Sequence, residues 1–351
     1  MKLRQQTQML LIFSLVAHCL VFTSAYGWDG SPSQGLAPDA SLETRFSTRK
    51  ESKTPSSRWL EDLVKNSIFP LNGSKDRPEH KKTREQIMRE LEATQQKLAT
   101  IDGALLDSLW SPGPPDSPAV ILFHGNGSIL DGMEGYARWY RSRGFRTLLV
   151  TIRGYPGSTG DAVEAGELGI FYDVEAALNF VVNLLQVPPG KVLVHGFSLG
   201  GAYVATAGRY FGVATALDHV FTNAEDVVVN YTGLPEFIIG PVVRDAFPDG
   251  ISTSVRHVRI PVKTEHFVTD GLSNLKKAGR TEKDLFVFFG SNDPMTPKEF
   301  AEEILAAKYA DASKRAARSA EIPGEHWGPF FEHPDATAKF EAFLRDNGLL
   351  R

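Results

Sequence analysis

The sequence predicts an α/β fold in which a mostly parallel sheet carries helices on both faces. Short apolar runs recur along the chain and several end in glycines, as buried parallel strands do: PAVILFHGNG, FRTLLVTIRGYPGSTG, KVLVHGFSLGG and DLFVFFGSNDP. Stretches of helical periodicity lie between these runs. Strands that alternate with helices favour right-handed crossovers, and the carboxyl edge of such a sheet collects the functional loops.

The remaining elements follow in chain order. GALLDSLWSP alternates like a strand, and RSAEIPGEHWG contains a weaker last strand. Helices are predicted at about 131–143, 168–185, 199–210, 297–308 and 335–346. The interval of about 223–280 breaks the alternation, and we interpret it as an insertion after the sixth strand. It is either a lid or pocket wall over the sheet or an irregular connection, and its Phe237, Ile238 and Ile239 fit an acyl pocket or the core equally well.

Residues 1–27 have the layout of a secretory signal peptide. Lys2 and Arg4 precede an apolar run from Met9 to Phe22, and the small residues that follow fit a cleavage site ending at Gly27. A run of about 14 residues is shorter than the roughly 20 that span a bilayer, although an uncleaved membrane anchor is the alternative. We therefore expect an exported protein: periplasmic, secreted or otherwise extracytoplasmic. Cleavage would also remove Cys19, the only cysteine, and with it any disulfide or thiol chemistry.

Three further regions are predicted after the signal. Residues 28–76 form a flexible linker, because their first part is rich in Ser, Pro, Gly and Thr. Residues 77–101 form a helical extension, in which Ile87, Leu91 and Leu98 recur at helical spacing. This extension is either a surface helix packed by one stripe or a helix that binds a partner. Residues 102–351 form the α/β domain.

Charge and composition exclude some classes of function. The chain has 351 residues, which suits one large domain with extensions, and its formal net charge of −4 gives no electrostatic case for nucleic acid. The histidines are scattered, and neither H-E-x-x-H nor H-x-x-E-H occurs. We therefore expect no metal site and no metal-dependent hydrolysis.

A candidate nucleophile lies at the end of the strand VLVHGF. Residues 196–200 match the pattern G-x-S-x-G, with Ser198 at its centre. Such a serine must occupy a sharp strand-to-helix turn, where glycines remove the Cβ atoms that would clash. The helix that follows points the positive end of its dipole at the reacting centre.

Serine needs a base to take its proton, and the base needs a third group that holds its tautomer. Asp293 follows the apolar strand of LFVFFGSNDP, and His326 follows the last predicted strand, so both are expected at the same sheet edge as Ser198. The sequence therefore predicts a Ser198, His326 and Asp293 triad. The fallback residues are Glu225 and Asp226 as acids, and His333 and His266 as bases.

An oxyanion hole requires two backbone N–H groups beside the nucleophile. One is expected from Leu199, directly after Ser198, and the other from Asn126 in the HGNG loop after the strand AVILF. His124 of this loop is predicted to have a structural role.

These motifs resemble the α/β-hydrolase superfamily, and in particular serine hydrolases with an HGN-type oxyanion loop. The matching pieces are LFHGNGSILDG, IRGYPGSTG, VLVHGFSLGGA, FFGSNDPMTP and GEHWGPFF, which together extend from about residue 102 to the C-terminus. The resemblance implies an α/β-hydrolase fold with an eight-stranded, mostly parallel sheet. It also implies a serine triad that works through an acyl-enzyme without a metal or an organic cofactor.

The expected function is therefore hydrolysis of a small-molecule or lipid-like acyl ester or thioester, of the carboxylesterase, lipase or thioesterase type. Two alternatives stay open at this point. A peptidase or an acyltransferase would use the same triad with a different pocket or acceptor. A non-catalytic hydrolase-like binding protein would have lost a triad residue, whereas all three candidates are present here.

Overall fold

A computed structural model describes Val64 and residues 67–351, and it has ten strands in that part of the chain. They are β1 (Thr94–Ala99), β2 (Leu105–Ser111), β3 (Ala119–Phe123), β4 (Arg146–Val150), β5 (Val192–Phe197), β6 (Ala214–Asp218), β7 (Asp249–Ser254), β8 (His266–Asp270), β9 (Leu285–Gly290) and β10 (Ser319–Ile322). Eight form one sheet in the order β1-β2-β4-β3-β5-β6-β9-β10, in which only the pairs made by β2 are antiparallel. The predicted eight-stranded, mostly parallel sheet is confirmed.

Helices connect these strands. From Arg84 onward they are α1 (Arg84–Glu90), α2 (Glu134–Arg141), α3 (Ala162–Asn179), α4 (Gly200–Thr206), α5 (Ala224–Thr232), α6 (Glu236–Ala246), α7 (Asn274–Ala278), α8 (Lys298–Lys308), α9 (Ala312–Ala317) and α10 (Pro334–Asp346). Single turns of 3₁₀ or π-helix extend three of them, which brings the predicted helices within a few residues of the observed ones. Within the described residues, no helix is both long and apolar enough to cross a bilayer.

Apolar residues cover both faces of the sheet. On one face, Leu122, Leu193 and Phe288 pack in a single cluster with side chains of α2 and α10, among them Tyr140 and Phe340. The residues that alternate with them point to the other face and are equally inaccessible, since every residue of β3 and β5 is buried. Burial on both faces explains why these strands are continuous apolar runs rather than alternating ones.

The prediction of a helix over 77–101 is wrong in its second half. Thr83 caps α1 through a reciprocal pair of hydrogen bonds with Gln86, and the helix ends where Glu92 adopts a left-handed backbone with φ +50°. Residues 94–99 then form β1, which pairs along its whole length with β2. Sheet pairing outweighs the helical preference of Gln, Lys, Leu and Ala in this segment. The sheet therefore begins before residue 102.

The predicted linker is also too long at its C-terminal end. Val64, Ile68 and Phe69 are buried, and the Phe69 ring packs 6.4 Å from the ring of Phe247 in the insertion. Further along, Asn72 accepts a hydrogen bond from the Ala162 N–H at the start of α3. Apolar residues at helical spacing thus hold this part of the chain on the domain. The signal peptide at 1–27 and the first part of the linker lie outside the described residues.

The insertion after β6 has regular structure of its own. It consists of α5, α6, the antiparallel hairpin β7-β8 and α7. Lys277 of α7 is only 1% exposed and forms ion pairs with Asp270 at 2.6 Å and with Glu167 of α3 at 3.2 Å. Burial raises the pKa of Glu167 to about 7, although the charge of Lys277 opposes this shift. These buried charges tie the insertion to the helices of the α/β domain.

The Lys277→Met protein is expected to lose about 3–5 kcal/mol of unfolding free energy at pH 8, because two carboxylates would be left buried without their cation. Its neighbour Lys276 supplies a matched control, since it pairs with Asp249 at the surface and Lys276→Met should cost less than about 1 kcal/mol. Urea unfolding measures both effects.

The loss of unfolding free energy in the Lys277→Met protein should be smaller at pH 5 than at pH 8. A carboxyl group whose folded pKa is raised favours the fold below its unfolded pKa, and this contribution fades as the pH rises through the folded pKa. Glu167 can therefore take up a proton at pH 5 and lessen the repulsion. Equal losses for the two lysine variants would contradict a structural role for the buried cluster.

Candidate active site

The carboxyl ends of four neighbouring strands meet at one edge of the sheet. In register, Phe123 of β3 lies opposite Gly196 of β5, and Asp218 of β6 lies opposite Phe288 of β9. Ser198 follows β5 directly and adopts φ +51°, which is rare for a residue with a side chain. The Ser198 N–H donates to the Asp218 carbonyl at 2.7 Å, so β6 holds the strained turn in place.

Two glycines of the G-x-S-x-G pattern are required by packing. A Cβ atom on Gly196 would lie 2.3 Å from the Gly200 carbonyl oxygen, and one on Gly200 would lie 2.4 Å from the Phe123 carbonyl oxygen. Both distances are far below van der Waals contact. The glycines therefore let α4 begin directly against β5 and β3, which places Ser198 at its N-terminal end.

Three sequence-predicted residues come together at this edge. His326 Nε2 lies 3.1 Å from Ser198 Oγ, and His326 Nδ1 lies 2.6 Å from Asp293 Oδ2. All three side chains are buried. Asp293 lies in the loop after β9 and His326 in the loop after β10, as the sequence predicts. The arrangement forms a continuous chain of hydrogen bonds from carboxylate to hydroxyl.

Asp293 is fixed by its own loop. Its carboxylate accepts hydrogen bonds from the Thr296 hydroxyl at 2.6 Å and from the N–H groups of Met295 and Thr296 at 2.8 and 3.0 Å. Burial alone would raise the pKa of Asp293, but the hydrogen bonds from His326 and Thr296 outweigh it and hold the pKa below its usual range. An ionised Asp293 requires a proton on His326 Nδ1, which leaves Nε2 free to accept one from Ser198.

The residues predicted for an oxyanion hole border the same space. Asn126 and Leu199 line the cavity that contains Ser198. The Asn126 Nδ2 donates to the carbonyl of Ser67, which lines the same cavity, at 2.8 Å. The role of the Asn126 backbone N–H as the second oxyanion donor stays a prediction.

His124 stabilises the turn that carries Asn126. Its Nδ1 lies 2.9 Å from the Gly125 carbonyl oxygen, and its Nε2 accepts from the Ile152 N–H at 3.1 Å. Burial lowers the pKa of His124 to about 4, so the ring is neutral at physiological pH. These contacts give His124 a structural place in the loop.

The fallback residues lie in other environments. Asp226 accepts a hydrogen bond from the Asn223 side chain in the first turn of α5, and Glu225 pairs with an arginine of α6. His333 occupies the position before α10, and His266 is exposed on β8. The hydrogen bonds of the described residues therefore connect Asp293, not these acids, to the imidazole beside Ser198.

A buried polar network behind the triad was not predicted. Asp218 accepts from the Tyr136 hydroxyl at 2.8 Å and contacts His219 Nδ1 at 2.6 Å and His195 Nε2 at 3.3 Å. Burial opposes ionisation of Asp218, but the hydrogen bonds from the two histidines outweigh it and hold the pKa far below its usual range. The His219 ring lies 5.7 Å from that of His326, edge to face. Sequence position could have indicated this network, because Asp218 ends β6 and His219 follows it directly, at the sheet edge where the functional loops are predicted.

The space at Ser198 is small. Its cavity has a volume of about 20 Å³, little more than one water molecule needs. Val228 and Tyr231 of α5 and Ile68 of the N-terminal segment are among the residues that line it. Phe237, Ile238 and Ile239, which fit an acyl pocket or the core equally well, are not among the residues that line this cavity; Phe237 is exposed and Ile239 is buried.

A sequence model of the Alpha/beta hydrolase family matches residues 120–340, well over half of the chain. The chain belongs to the alpha/beta hydrolase family. Membership supports hydrolysis as its general class of reaction, and it confirms the predicted fold class together with the sheet described above.

Relatives of this alpha/beta hydrolase include Protein bem46 of Schizosaccharomyces pombe, which is 28% identical over 175 residues, or 49% of this chain and 56% of that protein. The multifunctional-autoprocessing repeats-in-toxin of Vibrio cholerae serotype O1 is 32% identical over 97 residues, or 27% of this chain and 2% of the toxin. The chain thus spans little more than half of the first protein and a small part of the second.

Solved structures share the fold. The esterase Pf2001 of Pyrococcus furiosus superposes with a TM-score of 0.56 at 16% identity, covering 78% of this chain and 99% of that one. An alpha-beta hydrolase of Vibrio vulnificus gives a TM-score of 0.56 at 18% identity, covering 85% and 95%. At such identities the likeness concerns the fold alone.

Proposed function

We propose that this alpha/beta hydrolase is a serine hydrolase that cleaves a carboxylic ester or thioester through an acyl-enzyme intermediate. The observation that carries the proposal is the hydrogen-bonded chain from Asp293 through His326 to Ser198, with distances of 2.6 and 3.1 Å. Each distance allows direct proton transfer or orientation of the imidazole. The esterase activity named for the Pyrococcus furiosus neighbour makes an ester the first substrate to test.

In the first half of the reaction, Ser198 Oγ attacks the carbonyl carbon while His326 Nε2 takes the hydroxyl proton. The carbonyl oxygen becomes an oxyanion, and the N–H groups of Leu199 and Asn126 stabilise it. The tetrahedral intermediate then breaks its C–O or C–S bond, and the leaving oxygen or sulfur receives the proton from His326. Asp293 orients the imidazole and stabilises its charged form throughout.

In the second half, water takes the place of the departed alcohol or thiol. His326 removes a proton from this water, which attacks the acyl carbon and forms a second tetrahedral intermediate. Its collapse breaks the bond to Ser198 Oγ, which regains a proton from His326. The products are the free acid and the alcohol or thiol. This half of the cycle separates a hydrolase from an acyltransferase, in which another acceptor replaces water.

A substrate panel tests the proposal. Purified protein should hydrolyse 4-nitrophenyl acetate and an acyl thioester at rates well above the buffer blank, and it should hydrolyse a peptide 4-nitroanilide much more slowly. Addition of a primary alcohol as acceptor should leave most of the acyl group as free acid. Preference for the anilide or for acyl transfer would replace the proposal with the peptidase or acyltransferase alternative.

The rate should depend on pH through a single rising step. The depressed pKa of Asp293 keeps its carboxylate ionised throughout the range above pH 5, so this group contributes no step there. The His326 imidazole must be neutral to accept the serine proton, so protonation at low pH removes the base. We therefore expect kcat/KM to be low at pH 4.5 and to reach a plateau above the step.

Initial rates between pH 4.5 and 9 measure this profile, with and without EDTA. The chelator should have no effect, because the proposed steps use only Ser198, His326, Asp293 and backbone N–H groups. A rate that climbs only above about pH 9, or activity that EDTA abolishes and zinc restores, would contradict the serine–histidine mechanism.

A further inference from the structure

A second cavity, with a volume of about 350 Å³, begins beside Ser198 without including it. Aromatic and apolar side chains form most of its wall: Met133, Tyr136, Phe197, Trp327, Pro329 and Phe331. The nearby hydroxyl groups are engaged elsewhere, since that of Tyr136 donates to Asp218 and that of Ser128 donates to the Ile129 carbonyl. The cavity therefore offers an apolar surface of a size that suits a small-molecule group.

This cavity lies on the imidazole side of the candidate nucleophile. Trp327 directly follows His326, and the Phe197 ring lies 5.1 Å from the His326 ring and 5.7 Å from the Trp327 ring. Gly125 also lines the cavity, and a Cβ atom there would come within 3.3 Å of Ser198 Cβ. Since the imidazole delivers its proton to the leaving oxygen or sulfur, the leaving group has to lie on this side. We call this space the leaving-group cavity.

The cavity that contains Ser198 is much tighter. Its volume is about 20 Å³, and its lining includes Leu199 and Asn126, which would bind the oxyanion, together with Val228 and Tyr231. We place the acyl group in this space, because the residues expected to bind its carbonyl oxygen line it. A volume near that of one water leaves room for a short acyl group and none for a long alkyl chain.

We propose that the substrate is an ester of a short acyl group with a bulky apolar alcohol or thiol, which binds in the leaving-group cavity. The proposal rests on the serine-hydrolase function proposed above and assigns its substrate class. Water hydrolyses the ester or thioester to a short carboxylic acid and the free alcohol or thiol, so the balance needs no other reactant. The apolar wall stabilises the alcohol or thiol portion in proportion to the apolar surface that it removes from water.

Two substrate series separate the two sides of the site. In the first, 4-nitrophenol is kept and the acyl group grows from acetate to butyrate to octanoate. In the second, acetate is kept and the alcohol grows from ethanol to 2-phenylethanol to 2-(1-naphthyl)ethanol, which have similar leaving-group chemistry. We expect kcat/KM to fall at least tenfold along the first series and to rise at least tenfold along the second.

Gly135 of α2 provides a variant that fills the leaving-group cavity. It lines the cavity, and a Cβ atom there would approach only the tip of the Phe331 ring, at 3.1 Å. Gly135→Leu should lower the ratio of kcat/KM for 2-phenylethyl acetate to that for ethyl acetate at least tenfold. Gly135→Ala, which adds a single methyl group, should lower this ratio by less than threefold.

Trp327→Ala provides a second variant, and the 65% exposure of Trp327 indicates that its loss leaves the fold intact. Removal of this indole wall should also lower the ratio of kcat/KM for 2-phenylethyl acetate to that for ethyl acetate, by about five- to twentyfold.

A preference for long acyl groups, with kcat/KM unchanged along the alcohol series, would overturn the assignment of the two cavities and leave the serine-hydrolase function standing. An unchanged ratio in both Trp327→Ala and a folded Gly135→Leu protein would overturn it as well. If the protein turned over no ester of either series and no acyl thioester of the substrate panel, the proposed function itself would be refuted.

Discussion

The Ser198→Ala protein is expected to hydrolyse 4-nitrophenyl acetate about 10⁴- to 10⁶-fold more slowly in kcat than the unmodified protein, because no oxygen remains to form the acyl-enzyme. The turn itself should persist, since the N–H of residue 198 still donates to Asp218 and the flanking glycines are unchanged. The urea midpoint should therefore move little. Initial rates and equilibrium unfolding of the same preparation measure both effects.

Ser142→Ala is the matched control. The Ser142 hydroxyl donates to the Trp139 carbonyl at the end of α2 and makes no contact with the triad. This variant should keep the unmodified rate within about twofold, as expected of a surface change far from the site. If Ser198→Ala retained more than a tenth of the rate, another group would have to be the nucleophile.

The Asp293→Asn protein is expected to lose about 10³- to 10⁴-fold in kcat with little change in KM. An amide can present an N–H to His326 Nδ1, which selects the tautomer that cannot accept the serine proton at Nε2. The substituted residue still accepts hydrogen bonds through its amide oxygen from the N–H groups of Met295 and Thr296, so the loop should hold its shape. A fall in kcat at nearly unchanged KM distinguishes this role from a general loss of substrate binding.

Asp226→Asn tests the alternative acid. Asp226 belongs to the first turn of α5, and its carboxylate is engaged there by Asn223. The substitution should change kcat by less than about threefold, the size expected away from the reacting groups. A near-normal Asp293→Asn protein with an inactive Asp226→Asn protein would move the acid from the loop after β9 to the segment after β6.

The fold could be predicted because its physical signature is local. Parallel strands buried on both faces are short apolar runs, and each run here ends in glycines or polar residues at the same edge of the sheet. The order Ser198, Asp293, His326 then places three side chains at that edge from strand positions alone. The structure brings them into one hydrogen-bonded chain, as expected from the sequence.

The segment from Thr94 to Ala99 could not be predicted in the same way. Its residues prefer a helix in isolation, and only the edge formed by β2 makes them a strand. Such an override depends on the partner strand with which the segment pairs, and the local sequence pattern does not contain it. The packing of Ile68 and Phe69 could not be predicted either, because the apolar residues of this segment are few and many of its other residues are polar.

The buried charges were harder to foresee still. Lysine and aspartate mostly lie at protein surfaces. The burial of Lys277 and Asp218 follows only from their contacts with Glu167, His195 and His219 in the assembled fold. Neither local periodicity nor strand order carries that information. The cavity beside Trp327 likewise arises where the segment after β3, α2, the end of β5 and the segment after β10 meet, so its volume follows from the assembled fold.

A fluorophosphonate probe tests the central claim most directly, because phosphorus is attacked readily only by a serine that a base has activated. The protein is treated with the probe, weighed intact and digested, and the adduct is located by tandem mass spectrometry. The account predicts a single adduct on Ser198, absent from Ser198→Ala and slowed by at least 100-fold in Asp293→Asn. An adduct on a different residue, or ester hydrolysis that continues in fully labelled protein, would contradict it.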